Sequence, residues 1–62
     1  MRRFDEPRPV LVQHDDGRWY RGFCEGWTRR DDGEWRASCR YTVGVGETYV
    51  RSLPAERVRP DV

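Results

Sequence analysis

The chain has 62 residues, of which 37% are charged and 35% hydrophobic, and a formal net charge of +1. A chain this short has room for one domain with a thin core, and its small net charge argues against a protein that binds polyanions through charge alone. No apolar run is long enough to cross a bilayer or to form a signal peptide, so we expect no membrane partner and a cytoplasmic location. All twelve basic residues are arginine, which favours the codon bias of a GC-rich bacterial genome, with selection for the bidentate donors of arginine as the alternative.

The N-terminal segment differs from the rest of the chain. Residues 1–9, MRRFDEPRP, are charged and contain two prolines, which predicts a flexible arm. The barrel domain is predicted at residues 10–60. Its first strand, PVLVQH, is followed by Asp15-Asp16-Gly17, and an Asp-Gly pair after a β-branched run is a strong hairpin signal.

The second predicted strand runs from Arg18 to Trp27. Glycines inside it indicate a bulge or a sharp bend. Alternation places Trp19, Phe23 and Trp27 on one face and Tyr20 on the other, so aromatic rings occur on both faces. A small barrel cannot enclose all of them, so one face is expected to form an exposed patch for a partner. The alternative is that a bent strand lets both faces touch the interior, or that the N-terminal arm covers Trp19 and Phe23.

The third strand follows a second Asp-Asp-Gly turn and alternates clearly. Its core-facing side chains are predicted to be Trp35, Ala37, Cys39 and Tyr41. Its opposite face carries Arg36, Ser38, Arg40 and Thr42.

The remaining segments complete the fold. VGVG at 43–46 predicts a turn, ETYVRS a fourth strand, LPAER one turn of 3₁₀ helix, and residues 58–60 a short last strand. We therefore predict an all-β fold, a small five-stranded SH3-like barrel with a 3₁₀ turn before the last strand. An open three-stranded sheet is the alternative.

The runs DDGRWYRGFCEGW, GEWRASCRYTVGVGE and LPAERVRP resemble Tudor and Agenet domains, over about residues 10–60. Tyr20 matches the aromatic after the family's Asp-Gly hairpin, and Tyr41 matches an aromatic before its glycine-containing turn. The resemblance implies an SH3-like barrel with an aromatic cage for methylated arginine or lysine. The chain departs from the family at Gln13, where the cage has an aromatic, and His14 or Trp27 would have to substitute.

The leading functional hypothesis is a non-catalytic module that binds a protein or peptide through an aromatic-rich barrel end. Its ligand-binding residues are predicted to be His14, Trp19, Tyr20, Trp27 and Tyr41. Exposed aromatic patches usually mark interaction sites, and the same rings could instead be covered in a homo-oligomer.

The alternative is a nucleic-acid-binding module. Arginines interleaved with aromatics form a surface on which bases can stack, and the candidates are Arg21, Arg36 and Arg40. Acidic residues are interspersed with them, so cross-strand ion pairs on a solvated face are the competing interpretation.

Catalysis and metal binding find little support in the sequence. His14 is the single histidine, and no nucleophile or acid is placed near it at a recognisable spacing for catalysis. Two cysteines and one histidine are too few for a structural zinc site, so no enzyme, metal or cofactor is predicted. Cys24 and Cys39 are expected opposite each other as buried thiols, with a disulfide as the alternative.

Overall fold

The computed structural model describes residues 2–61 as five antiparallel strands and one turn of 3₁₀ helix. The elements are β1 (Arg2–Gln13), β2 (Trp19–Arg29), β3 (Trp35–Gly44), β4 (Glu47–Pro54), η1 (Ala55–Arg57) and β5 (Val58–Pro60). They form one sheet in the order β4-β3-β2-β1-β5, curled into a half-barrel, with β4 and β5 at its edges. The predicted all-β fold is confirmed, and its topology is consistent with an SH3-like barrel. Residues 2–61 contain no helix with the length and apolarity that spanning a bilayer requires.

The Asp-Asp-Gly sequence occurs twice and forms the same turn both times. In each turn the glycine amide donates to the carbonyl three residues earlier at 2.9 Å, and Gly17 and Gly33 have φ values of 81° and 87°. The carboxylates of Asp16 and Asp32 each accept a hydrogen bond from the amide two residues later at 2.9 Å. A left-handed glycine after two turn residues is the usual three-residue hairpin loop, so the two hairpins follow from local sequence.

Strand β1 begins earlier than the sequence predicted. An arm was predicted at residues 1–9, of which Met1 lies outside the described residues, but β1 starts at Arg2, and Arg3 pairs with Gly26. The first proline is tolerated because it falls between Arg3 and Arg8, where the register shifts and the ladder is interrupted. The flexibility of this segment stays a prediction.

The core lies on the inner face of the half-barrel and is built from alternate residues of four strands. Its buried side chains are Val10, Val12, Cys24, Ala37, Cys39, Tyr41 and Leu53. The predicted inward face of β3 is confirmed except at Trp35, which is 40% exposed because it lies at the first position of the strand. Gly22 permits the tight approach of β2 to β3, since a Cβ there would be 2.5 Å from the carbonyl oxygen of Arg40.

A β-bulge in β2 changes which aromatic side chains face inward. The register against β3 shifts at Glu25, which is an extra residue in β2. The bulge reverses the alternation, so Trp27 lies opposite the buried Ala37 and packs against the core. The prediction that Trp27 shares a face with Trp19 and Phe23 is therefore wrong. Phe23 remains on the outer face and is 48% exposed.

Candidate functional site

The five side chains predicted to bind a ligand are distributed over three surfaces. His14, Tyr20 and Tyr41 lie together at the end of the half-barrel formed by the first hairpin turn. Trp27 lines a cleft near the other end of β2. The ring of Trp19 lies beneath the guanidinium of a β5 arginine. Three of the five predicted residues, His14, Tyr20 and Tyr41, therefore lie together. Trp19 and Trp27 lie elsewhere.

His14 stands among three tyrosine rings, in what we call the tyrosine end. The centroid of its imidazole lies 4.9 Å from that of Tyr49, 5.6 Å from that of Tyr41 and 6.0 Å from that of Tyr20. Its Nδ1 atom forms a 2.8 Å hydrogen bond with the hydroxyl of Tyr41, which is only 2% exposed. The imidazole of His14, a side chain of the chain itself, therefore lies against all three tyrosine rings.

Tyr49 belongs to this group and was not among the predicted site residues. It pairs directly with Tyr41 across the third hairpin, and the two rings stack at a centroid distance of 5.6 Å. The period-two alternation of ETYVRS together with the VGVG turn could have indicated this partner, because directly opposed residues point to the same face.

Charged side chains form a hydrogen-bond network at the tyrosine end. The Oδ1 atom of Asp15 accepts hydrogen bonds of 3.1 Å from both Arg57 and Arg51, and these two bonds hold the pKa of the Asp15 carboxyl below its ordinary value. Arg57 also donates to the carbonyl oxygen of Gln13 at 2.7 Å. Arg51 donates to the hydroxyl of Tyr41 at 3.3 Å, which contributes to the raised pKa of this guanidinium. The network joins β1, β3, β4 and η1.

A second acid pairs with a phenol on the same hairpin. Tyr20 donates its hydroxyl proton to Oδ2 of Asp16 at 2.6 Å. This bond is the main reason why the pKa of Asp16 is lowered and that of Tyr20 is raised. The hydroxyls of Tyr20 and Tyr41 are therefore engaged within the chain.

An apolar cleft of about 230 Å³ opens between the N-terminal part of β1, β2 and β5. Its apolar lining includes Phe4, Val10, Cys24, Trp27, Val58 and Pro60. Small-molecule sites usually exceed about 300 Å³, so the volume of this cleft suits one or two amino-acid side chains better than a whole cofactor.

Two arginines are among the residues that line the apolar cleft, and the guanidinium of each stacks on an aromatic ring. The guanidinium carbon of Arg8 lies 4.4 Å from the centroid of the Phe4 ring, and that of Arg59 lies 3.7 Å from the centroid of a Trp19 ring. Both residues line the cleft, but Arg59 lies opposite Leu11 and its guanidinium rests on Trp19 at the outer face, and Arg8 also borders a hollow with Asp5 and Glu6. Cation–π contacts of this length orient a guanidinium without neutralising it.

The outer face of the sheet brings together two of the three arginines assigned to nucleic acid. Arg40 lies directly opposite Phe23, and Arg21, two residues before Phe23, has an 86% exposed side chain and a 3.7 Å ion pair with Asp61. Arg36 shares this face, but its guanidinium is held by a 3.3 Å hydrogen bond to the carbonyl of Ser52.

Acidic side chains are mostly absent from the described strands of this face. Five of them fall in the two Asp-Asp-Gly turns: Asp15, Asp16, Asp31, Asp32 and Glu34. Two of the three candidate arginines nevertheless form ion pairs, Arg21 with Asp61 at 3.7 Å and Arg36 with Glu34 at 3.9 Å, and Arg40 is the one of the three without an acidic partner within residues 2–61.

Cys24 and Cys39 face each other as free, buried thiols. Burial, followed by the neighbouring Cys24 thiol, raises the pKa of Cys39 to about 12. The Cys24 thiol donates to the carbonyl of Gly26 at 3.4 Å. Both behave as small hydrophobic side chains of the core.

The fold and these surfaces define a small SH3-like half-barrel with an apolar cleft on one side. Neither a protein-family model, nor a curated protein, nor a solved structure matches the chain. The resemblance to Tudor and Agenet domains therefore depends on the residues quoted for it alone.

Proposed function

We propose that the chain is a non-catalytic interaction module that binds an extended peptide segment of a partner protein in the apolar cleft beside Trp27. The observation that carries the proposal is the composition of the apolar cleft, whose lining is mostly apolar and includes the large ring of Trp27. An open apolar cavity of this size accepts side chains from an extended chain, and tryptophan is enriched among the residues that contribute most binding energy at such sites.

The tyrosine end is less suited to this role. The hydroxyl of Tyr41 already bonds to His14 and Arg51, and that of Tyr20 bonds to Asp16. A ligand there would have to break internal hydrogen bonds of side chains whose polar atoms are satisfied. We therefore propose the apolar cleft as the ligand site in place of His14, Tyr20 and Tyr41.

The test begins with a random heptapeptide library selected on the immobilised chain. The enriched peptide is then titrated into ¹⁵N-labelled protein, and amide shifts are mapped. We expect the largest shifts at Val10, Cys24 and Val58. Shifts confined to the tyrosine end or the outer face, or failure to enrich any peptide, would overturn the proposal.

Matched tryptophan substitutions give an independent readout. Trp27→Leu removes the ring from the apolar cleft, and we expect it to weaken peptide binding about tenfold or more. Trp35→Leu makes the same change at an exposed position outside the cleft, and binding should be unchanged. Equal affinities of the two variants would contradict the assignment; if Trp27→Leu does not fold, the amide map of the unsubstituted chain decides.

Binding of single-stranded nucleic acid on the outer face is a second candidate function. It is favoured by the position of Phe23 opposite Arg40 and next to Arg21 in the sheet, with acids concentrated in the turns. A base could stack on Phe23 while the two guanidiniums contact phosphates.

This candidate predicts a strong salt dependence. For two phosphate contacts, affinity for a labelled oligothymidine should fall roughly sevenfold between about 50 and 200 mM salt. The double variant Arg21→Gln/Arg40→Gln should reduce that slope, whereas Arg18→Gln/Arg30→Gln, with the same charge change in the turns, should not. An affinity that does not change with salt, or equal effects of the two double variants on the slope, would exclude the outer face as a nucleic-acid-binding site.

A further inference from the structure

We infer that residues 2–7, which we call the strap, occupy the place of a ligand, and that a bound peptide displaces them from the apolar cleft. The inference rests on the proposed function and names both the regulation of that site and the chemistry of its partner. The partner is an extended segment with an aromatic side chain, which takes the position of the Phe4 ring.

The first argument is that a single ring accounts for the side-chain packing of the strap. Phe4 packs against the core and lines the cleft, whereas every other side chain of the strap is exposed. Within residues 2–61, no side chain of the strap forms a hydrogen bond or an ion pair. Displacing the strap therefore exposes one ring and breaks no polar contact of its side chains.

The second argument is that the strap is paired with the sheet at two positions. Its first two residues lie opposite Trp27 and Gly26, and residues 4–7 have no partner in β2. Strand β5 pairs only with residues farther along β1, so the side of the strap that points away from β2 has no strand partner within residues 2–61. Edge segments with few buried contacts open at a lower free energy than the core does.

The third argument is that the strap contacts β2 through its backbone. A Cβ at Gly26 would overlap the carbonyl oxygen of Arg2 and would lie 2.9 Å from the Cα of Arg3. Glycine at this position therefore lets another backbone approach closely. Backbone atoms are the same in every extended peptide, so a partner strand can replace the strap along Gly26 and Trp27.

The fourth argument identifies the side chain that the partner supplies. The Phe4 ring packs against the core, and the guanidinium carbon of Arg8 lies 4.4 Å from the centroid of that ring. Arg8 is paired with Cys24 in the ladder and stays in place when the strap leaves. An aromatic ring from the partner keeps both contacts, whereas an aliphatic side chain loses the cation–π contact.

The first experiment uses a nonapeptide with the sequence of residues 1–9, MRRFDEPRP, and a copy of it with Phe4→Ala. The same substitution in the full chain weakens the strap as an internal competitor, and the apparent affinity rises with the fraction of chains in which the cleft is open. We expect the nonapeptide to shift the amides of Cys24 and Gly26 and to bind the Phe4→Ala chain about tenfold more tightly than the unsubstituted chain. The copy without the ring should bind neither chain.

Phe23→Ala is the matched control, because it removes an exposed ring from the outer face. It should bind the nonapeptide as the unsubstituted chain does. If the Phe4→Ala chain binds the nonapeptide no more tightly than the Phe23→Ala chain, the Phe4 ring is not a competitor and the inference is wrong. Weaker binding of the enriched heptapeptide to the Phe4→Ala chain would also overturn it, because Phe4 would then be a wall of the ligand site.

A measurement on the unsubstituted chain covers the case in which the Phe4→Ala chain does not fold. The heptapeptide enriched from the random library should contain an aromatic residue. When it binds, the amide signals of Arg3 and Phe4 should move to the positions of an unstructured chain. An enriched heptapeptide without an aromatic residue would overturn the assignment of the partner's side chain.

The same titration separates this inference from the function on which it rests. If the amides of the cleft shift while those of Arg3 and Phe4 keep their folded positions, displacement of the strap is wrong and the peptide-binding function stands. If no heptapeptide is enriched, or if the enriched ones shift amides outside the cleft, both are wrong.

Discussion

The Nδ1 atom of His14 lies 2.8 Å from the hydroxyl oxygen of Tyr41, although 27 residues separate them in the chain. The bond joins the end of β1 to the middle of β3 across the inner face of the sheet. Arg51 donates to the same hydroxyl at 3.3 Å from β4. One phenol oxygen therefore connects three strands at the tyrosine end.

Removing that oxygen should weaken the fold. Tyr41→Phe keeps the buried ring but leaves His14 and Arg51 without a shared partner, and we expect a loss of about 1 kcal/mol in the free energy of unfolding. Urea denaturation followed by tryptophan fluorescence measures it. Tyr49→Phe is the matched control, because the Tyr49 hydroxyl makes no hydrogen bond within residues 2–61, and its stability should be close to that of the parent. Similar losses in both variants would contradict the role given to Tyr41.

Acid should weaken the fold through Asp15. Hydrogen bonds from Arg57 and Arg51 lower its pKa below the ordinary value of 3.8, so the folded state keeps the carboxylate charged at a pH where the unfolded chain takes up a proton. Stability from this group is complete above about pH 4 and is lost as the pH falls through the folded-state pKa. Asp16 acts in the same direction.

The corresponding measurement is the melting temperature of Asp15→Asn against pH. The variant should melt below the parent near neutral pH, and the difference should shrink as the pH falls below about 4. Asp31→Asn, in the second turn and without a side-chain hydrogen bond within residues 2–61, should follow the parent throughout. A constant gap between parent and Asp15→Asn down to strong acid would show that charge on Asp15 is not its cause.

Glycine at position 22 is required by the spacing of β2 and β3. A Cβ there would lie 2.5 Å from the carbonyl oxygen of Arg40 and 2.6 Å from the Cβ of Tyr41. We expect Gly22→Ala to lower the free energy of unfolding by about 1–3 kcal/mol. Gly44→Ala, where a Cβ would meet nothing within 4 Å, should change it little, and an equal loss at both positions would mean that overlap with β3 is not responsible for the loss at position 22.

The two thiols should resist modification in the folded chain. Both are buried, and burial raises the pKa of Cys39 to about 12, so little thiolate is present at neutral pH. Reaction with an aromatic disulfide reagent should be slow in buffer and complete within seconds in concentrated guanidinium chloride. Rapid labelling of either thiol without denaturant would contradict this packing.

Local patterns in the sequence predicted the elements that depend on neighbouring residues. The Asp-Asp-Gly turns, the inward set Ala37, Cys39 and Tyr41, and the 3₁₀ turn at 55–57 all follow from local propensity and period-two alternation. Trp27 was placed on the wrong face because a bulge shifts alternation by one residue. A sequence with two candidate glycines does not say where the bulge falls, whereas tight packing against β1 and β3 does.

The candidate site was less predictable for a related reason. The apolar cleft is formed by Phe4, Arg8, Val58 and Arg59 from opposite ends of the chain, and it exists because β1 extends back to Arg2. The two prolines predicted a loose arm. Strand β1 nevertheless continues through this segment because its register against β2 shifts there, and such a shift is a tertiary feature that local sequence does not show. His14, Tyr20 and Tyr41 came together as expected because they flank one turn and its neighbouring strand.

The position of β4 at the rim of the sheet bears on how the protein behaves in concentrated solution. The backbone groups of this eight-residue strand that point away from β3 have no strand partner within residues 2–61, and Val50 beside them is 73% exposed. The opposite rim is formed by the three residues of β5 and, beyond them, by the N-terminal part of β1, which contains two prolines. An extended chain can therefore add itself to β4 more readily than to the opposite rim. At high protein concentration we therefore expect aggregation by strand addition to start along Glu47–Pro54, and Val50→Lys is the simplest substitution to discourage it.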